Sequence, residues 1–310
     1  MAAITAKMVN DLRSKTGAGM MECKKALVEA DGNFDDAIKI LREKGLGKAD
    51  KKAGRIAAEG VVDVLTVGNT TAIIEVNAET DFVAKNETFK AFVKNILKVI
   101  VDKKPATVEE LKALPYDADF ASVELKLKDM IFTIGENMNI RRFEIVEGIT
   151  STYIHGGGMA GVIVKFDTTE EVAAKEGFAE FAKNICLQIA AGTPPTYVAK
   201  EDVPASVIEE EKAILMAQIK NDEKNANKPE AIIAKMVEGR IGKFYEKACL
   251  NEQLYVKDDS LTIAKYAASV AKELGGDIKI TSFVLFEKGE GLEKREDDFA
   301  DEIARLTGKA

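Results

Sequence analysis

The chain is poor in the residues that build metal cages, disulfide frameworks and most catalytic dyads. Its 310 residues include one histidine and three cysteines, Cys23, Cys186 and Cys249, far apart and with no CxxC among them. A disulfide scaffold and a cysteine–histidine zinc site are therefore not expected, and a reducing cytoplasm is the expected compartment. No run approaches the roughly 18 apolar residues needed to span a bilayer. The opening MAAITAKMVNDLRSKTG lacks an apolar signal core, and its Asp11 does not suit a transit peptide. A phosphate-binding loop is missing as well, because TGAGMMECKK (16–25) does not have the G-x-x-x-x-G-K-[ST] spacing. Positive charge is outnumbered: 44 Lys and Arg against 52 Asp and Glu give a net charge of −8, with the first 60 residues near +3 and the remainder near −11. That is not the basic footprint of a nucleic-acid binder, and it points to protein partners or small molecules.

What is present is globular: 46% apolar and 31% charged residues, in a chain long enough for two or more domains. Residues 5–45 read as three short helices. Met8, Val9 and Leu12 share one face, TGAG (16–19) is a glycine turn, and Cys23, Leu27 and Ala30 line the next helix. Asn33 is placed to cap a third helix carrying Phe34, Ala37, Ile38 and Leu41. Residues 44–60, rich in Gly, Ala and Lys, read as a linker, helical in part. Residues 60–79 read as two strands joined at Gly68-Asn69, and residues 89–101 as an amphipathic helix.

The chain repeats itself. Shifting residues 72–96 by 89 positions lays them over residues 161–185, with ten of the 25 positions identical, among them Phe89/Phe178 and Phe92/Phe181. One unit is a strand hairpin with a helix on one face, so the expected class is α+β with a core of two related subdomains. The expected divisions are 1–54 for the helical head and linker, 55–145 and 146–285 for the core halves, and 286–310 for a closing helical module. Within the second half, residues 205–224 and 229–250 read as an inserted helical hairpin, with Ile233, Val237, Ile241, Phe244 and Ala248 in one stripe.

The candidate sites are few. GGGMAG (156–161) satisfies G-x-G-x-x-G, but it runs into a strand rather than a helix, so it reads as a turn and not a dinucleotide cradle. His155 beside it has no acid or nucleophile in the sequence nearby, and reads as a surface residue or a partner contact. Met20 and Met21 point about 100° apart on one helix, so a small bundle buries one of them at most, and an exposed methionine suits an adaptable partner surface. In NAETDFVAKNETF (77–89), Thr80 or Asp81 caps a helix start. Phe82 beside them reads either as core or as an anchor for another molecule. The repeat favours the anchor, because Phe82 aligns with Glu171, and a place that accepts glutamate in the same scaffold is a surface place.

Five strings together resemble the bacterial elongation factor Ts family: LRSKTGAGMMECKKAL, EVNAETDFVAKN, IGENMNIRRFE, KMVEGRIGKF and GEGLEKREDDFADEI. They span nearly the whole chain in that family's order. Met159 stands where the family would suggest arginine. The resemblance implies a ubiquitin-associated-like three-helix head, a two-part α+β core, the helical hairpin and a C-terminal helix. It implies a nucleotide exchange factor for the GTPase elongation factor Tu, working without covalent chemistry, cofactor, direct nucleic-acid contact or membrane. Thr80, Asp81, Phe82 and Val83 would intrude into the partner and disturb its magnesium site, and Leu12, Met20, Met21, His155 and Val237 would add contacts. A complex of two chains of each kind, joined through the core or the hairpin, is compatible with this. The competing expectations are a plain adaptor, which binds through its head without altering nucleotide release, and an enzyme built on the glycine turn and His155.

Overall fold

The computed structural model describes residues 3–222 and 228–293. The head consists of α1 (Ala6–Thr16), α2 (Met20–Glu29) and α3 (Phe34–Lys52). Local chemistry starts and stops these helices. The Thr5 hydroxyl accepts the Met8 N–H at 3.2 Å, Gly17 closes α1 at φ 68°, and the Asn33 side-chain Oδ1 accepts from the Asp35 and Asp36 N–H groups at the start of α3. Val9, Leu12, Cys23, Leu27, Ala37 and Leu41 fill the space between the three helices.

The first core unit runs β1 (Glu59–Val67), β2 (Thr70–Ala78), α4 (Asp81–Lys85), α5 (Glu87–Lys103), α6 (Val108–Ala113), α7 (Val123–Ile134) and β3 (Met138–Glu147). The second runs β4 (Ile149–His155), β5 (Ala160–Asp167), α8 (Glu170–Ala173), α9 (Glu176–Ala191), α10 (Ala205–Asn221), α11 (Glu230–Ala248), the short hairpin β6 (Leu254–Tyr255) and β7 (Asp258–Thr262), α12 (Ile263–Leu274) and β8 (Lys279–Glu287). Each unit contains one antiparallel three-stranded sheet, ordered β1-β2-β3 in one and β4-β5-β8 in the other, with the repeated strand in the middle. The class is α+β.

One face of each sheet is covered by helices: Phe89, Phe92, Ile96 and Ile100 of α5 in the first unit, and Phe178, Phe181, Ile185 and Ile189 of α9 in the second. The other faces meet each other. Val62, Ile73 and Val146 pack against Ile163, Val284 and Phe286, giving helix, sheet, sheet and helix layers. Gly161 is required at this seam, because a Cβ there would lie 2.6 Å from Val62 Cγ1 and 3.1 Å from Ile73 Cδ1. The seam also holds a buried charge. Glu75 on β2 accepts the Gly289 N–H at 2.8 Å, the Asn77 amide at 3.0 Å, Arg141 Nη1 at 3.0 Å and Arg142 Nε at 2.7 Å. Burial alone would raise its pKa, but these donors together bring the carboxyl below its ordinary value.

The linker read at 44–60 as helical in part is helical to Lys52, because α3 lies along α7, with Gly45 against the Phe132 ring and the Lys128 ammonium 3.1 Å from Asp50. Gly45 permits this close approach instead of ending the helix. The closing helical module expected at 286–310 lies mostly outside the described residues. The hairpin of α10 and α11 forms, with its own core of Leu215, Ile219, Ile233, Val237 and Ile241. Among the described residues no helix is long and apolar enough to cross a membrane.

Candidate functional site

The segment between β2 and α5 is built from its own capping chemistry. The Thr80 hydroxyl accepts the Val83 N–H at 3.4 Å and starts α4, and Asn86 then caps α5 by accepting from Thr88 at 2.8 Å. In so short a helix the capped turn sends neighbouring side chains in different directions. Val83 is buried with Ala84 in the core of the first unit, while Phe82 is 80% exposed. The Asp81 carboxylate takes a 2.6 Å bond from Lys85 one turn later. That bond, reinforced by the charges of Lys85 and Lys288, holds the carboxyl below its ordinary pKa.

The second copy repeats the scaffold without the aromatic. Thr169 caps α8 by accepting from Val172 at 3.3 Å, and Val172 is buried as Val83 is. The place of Phe82 is taken by Glu171, whose side chain is 88% exposed. The fold therefore does not need an apolar residue there, and keeps Phe82 in water at a cost in solubility that binding would offset.

The rest of this edge lies close by. Gly156, Gly157 and Gly158, at φ 57°, 67° and 107°, make the turn from β4 to β5. His155 is exposed, with its Nδ1 3.4 Å from the Tyr153 hydroxyl. Met159 is 58% exposed, and its carbonyl accepts the Lys288 N–H at 2.8 Å. Lys288 also pairs with Glu59, which ties the turn to the start of β1. On the head, Met20 and Met21 are both exposed, at 49% and 62%.

Three of the residues named from the sequence are inside. Leu12 packs at the centre of the head against Cys23 and Leu27, and Val237 packs between α10 and α11. Each sits on the inward stripe of its helix, where burial stabilises the bundle, so neither side chain lies on the surface of the free chain. Val83 is likewise a footing for Phe82 and not part of the exposed surface. Conversely, sequence reasoning passed over Glu136. Its carboxylate accepts both the Thr80 N–H, at 3.0 Å, and the Thr80 hydroxyl, at 2.8 Å, across 56 positions of chain. The only sequence signal was its place in the IGENMN string.

Comparison with known proteins places the chain in a family. The family model described as elongation factor TS matches residues 79–290, which include the Phe82 segment, β3, the second sheet and the hairpin. An elongation factor Ts of Syntrophotalea carbinolica is 46% identical over 307 residues, 98% of this chain and 99% of its own length. Those of Clostridium kluyveri and Clostridium botulinum (strain Alaska E43) are 48% and 47% identical, each over 99% of this chain and the whole of theirs. With the doubled α+β core, the exposed Phe82 and this full-length similarity together, the chain belongs to the elongation factor Ts family of translation elongation factors.

Proposed function

We propose that this chain is the guanine nucleotide exchange factor for elongation factor Tu, and that Asp81 and Phe82 are the part that acts on the partner's nucleotide site. The observation that carries the reading is the 80% exposure of Phe82 on a scaffold whose second copy places glutamate at the same position. A large aromatic held in water on a rigid turn is the kind of residue that anchors an interface. Met20 and Met21 on the head, and His155 and Met159 at the glycine turn, are further exposed side chains that would supply flexible and polar contacts.

The physics asks for no covalent step. A magnesium ion bridging phosphates holds its ligands in near-octahedral geometry, so a displacement of the surrounding loop weakens nucleotide binding. Inserting Phe82 beside that loop stabilises a conformation in which the site is distorted, and Asp81 brings negative charge towards phosphate oxygens. By linkage, the factor weakens nucleotide to the same extent that nucleotide weakens the factor. Stopped-flow release of a fluorescent GDP from cognate elongation factor Tu tests the proposal. The expected result is acceleration that rises with the concentration of this chain. Tight binding with an unchanged release rate would replace it with the adaptor reading.

A further inference from the structure

We propose that Glu136 is the positioning residue of the Phe82 anchor: its carboxylate clamps the first turn of α4, so that Phe82 is presented in a single orientation. The proposal rests on the exchange reading above and extends it to a residue that does not touch the partner.

The geometry is specific. Both oxygens of Glu136 are used on one residue, Oε2 by the Thr80 N–H and Oε1 by the Thr80 hydroxyl. That hydroxyl in turn accepts the Val83 N–H, so the carboxylate, the cap and the first turn form one chain of bonds with Phe82 inside it. Hydrogen bonds to a carboxylate are shorter and stronger than neutral ones. The loop that carries Glu136 is itself fixed. Gly135 closes α7 in the left-handed conformation at φ 92°. The buried Asn137 side chain donates to the main-chain carbonyls of Arg55 at 2.8 Å and Ala53 at 3.4 Å. A reciprocal bond completes the joint, with the Glu79 carboxylate accepting the Asn137 N–H. The clamp therefore hangs from anchored backbone, as a group that orients another must.

The internal repeat acts as a natural control. In the second copy α12 also ends on a left-handed glycine, Gly275 at φ 67°, but the next residue is Gly276, which has no side chain. A Cβ there would come within 2.5 Å of Val172 Cγ2, so that copy has no room for a clamp. What meets the chain entering α8 is the Asp277 carbonyl, taken by the Thr168 hydroxyl at 2.7 Å. The two copies share the capping threonine and the buried valine. The copy with the carboxylate clamp is the one with the exposed phenylalanine.

Preorganisation removes the ordering cost from binding, so the clamp's effect passes through Phe82. The test is a double-mutant cycle in GDP release from elongation factor Tu, using the full chain. Glu136→Ala is expected to slow stimulated release about tenfold, from the usual worth of a helix cap. Glu136→Gln, which keeps one acceptor oxygen, is expected to lose about threefold on the same scale. In a Phe82→Ala background each is expected to cost less than about twofold, because the anchor it positions is gone. Full multiplicative losses in that background, or no loss in the wild-type background, would overturn the inference while leaving the exchange reading standing. If Glu136→Ala does not fold, the glutamine variant carries the same cycle. Amide hydrogen exchange supplies a readout independent of nucleotide release. Glu136→Gln should speed exchange in the peptide covering residues 80–84 and leave residues 169–173 as they were. Unchanged protection at 80–84 would refute the clamp even if the chain proved to have no effect on GDP.

Discussion

Replacing Phe82 by alanine separates an anchor from a core residue, because the two roles predict effects of different size in different assays. Phe82 is 80% exposed, so about one fifth of a side-chain area of about 200 Å² is out of water. At about 25 cal/mol per Å² that burial is worth about 1 kcal/mol, which sets the ceiling on lost stability. Phe89, fully buried one turn into α5, sets the opposite scale, since Phe→Ala in a packed core costs about 3–5 kcal/mol. The loss at Phe82 is expected in exchange instead. An interface anchor is worth about 2 kcal/mol or more, which corresponds to about thirtyfold slower stimulated GDP release. Thermal unfolding and stopped-flow release on Phe82→Ala, Phe89→Ala and Glu171→Ala make the comparison, with Glu171 as the same position in the second copy. Phe82→Ala that unfolds like Phe89→Ala and still releases GDP normally per folded molecule would refute the reasoning.

Other consequences can be measured separately. Glu75→Gln should destabilise the chain by about 2–3 kcal/mol at neutral pH, since it weakens the partnership with two arginines that are themselves only partly buried. Because the folded carboxyl titrates below its ordinary value of 4.5, its contribution is complete above that value and is lost as pH falls through the folded pKa. Glu75→Gln should therefore flatten the acid limb of a urea-unfolding series, and an unaltered limb would count against the assignment. Cys186 works in the opposite direction: burial pushes its thiol up to about 12 from 9.0, so its stabilising contribution is complete below pH 9 and falls as pH rises from there. A thiol reagent at pH 8 should leave it untouched in the native state and label it after denaturation. Rapid native labelling at Cys186 would contradict its burial. Deleting residues 210–241 and joining the stubs with a short flexible linker should leave most GDP-release activity, because the hairpin's distal core is its own and the base cluster of Val207, Ile208, Phe244 and Tyr245 is retained. Near-total loss in a folded deletion variant would show that the hairpin takes part in exchange.

The sequence by itself determined whatever depends on neighbouring residues or on comparison of the chain with itself. Thr80, Asn33 and Asn86 cap helices because their side chains reach N–H groups two or three positions ahead, and such distances are fixed by local geometry. The repeat was legible as letters, and with it the pairing of Phe82 with Glu171 that marks the phenylalanine as a surface residue. Tertiary structure decided the rest. Leu12 and Val237 sit on apolar stripes visible in the sequence, but only packing against neighbouring helices buries them fully. How far the partly helical stretch 44–60 stays helical was decided by packing, with Gly45 of α3 against Phe132, distant in sequence. Glu75 sits on a buried strand, where a charge is costly until Arg141, Arg142 and the Gly289 N–H converge on it from both units. Glu136 meets Thr80 only because β2 and β3 pair, which brings the two loops at their ends together. A hydrogen bond depends on angstroms in space, and for groups that distant in the chain only the folded sheet sets that distance.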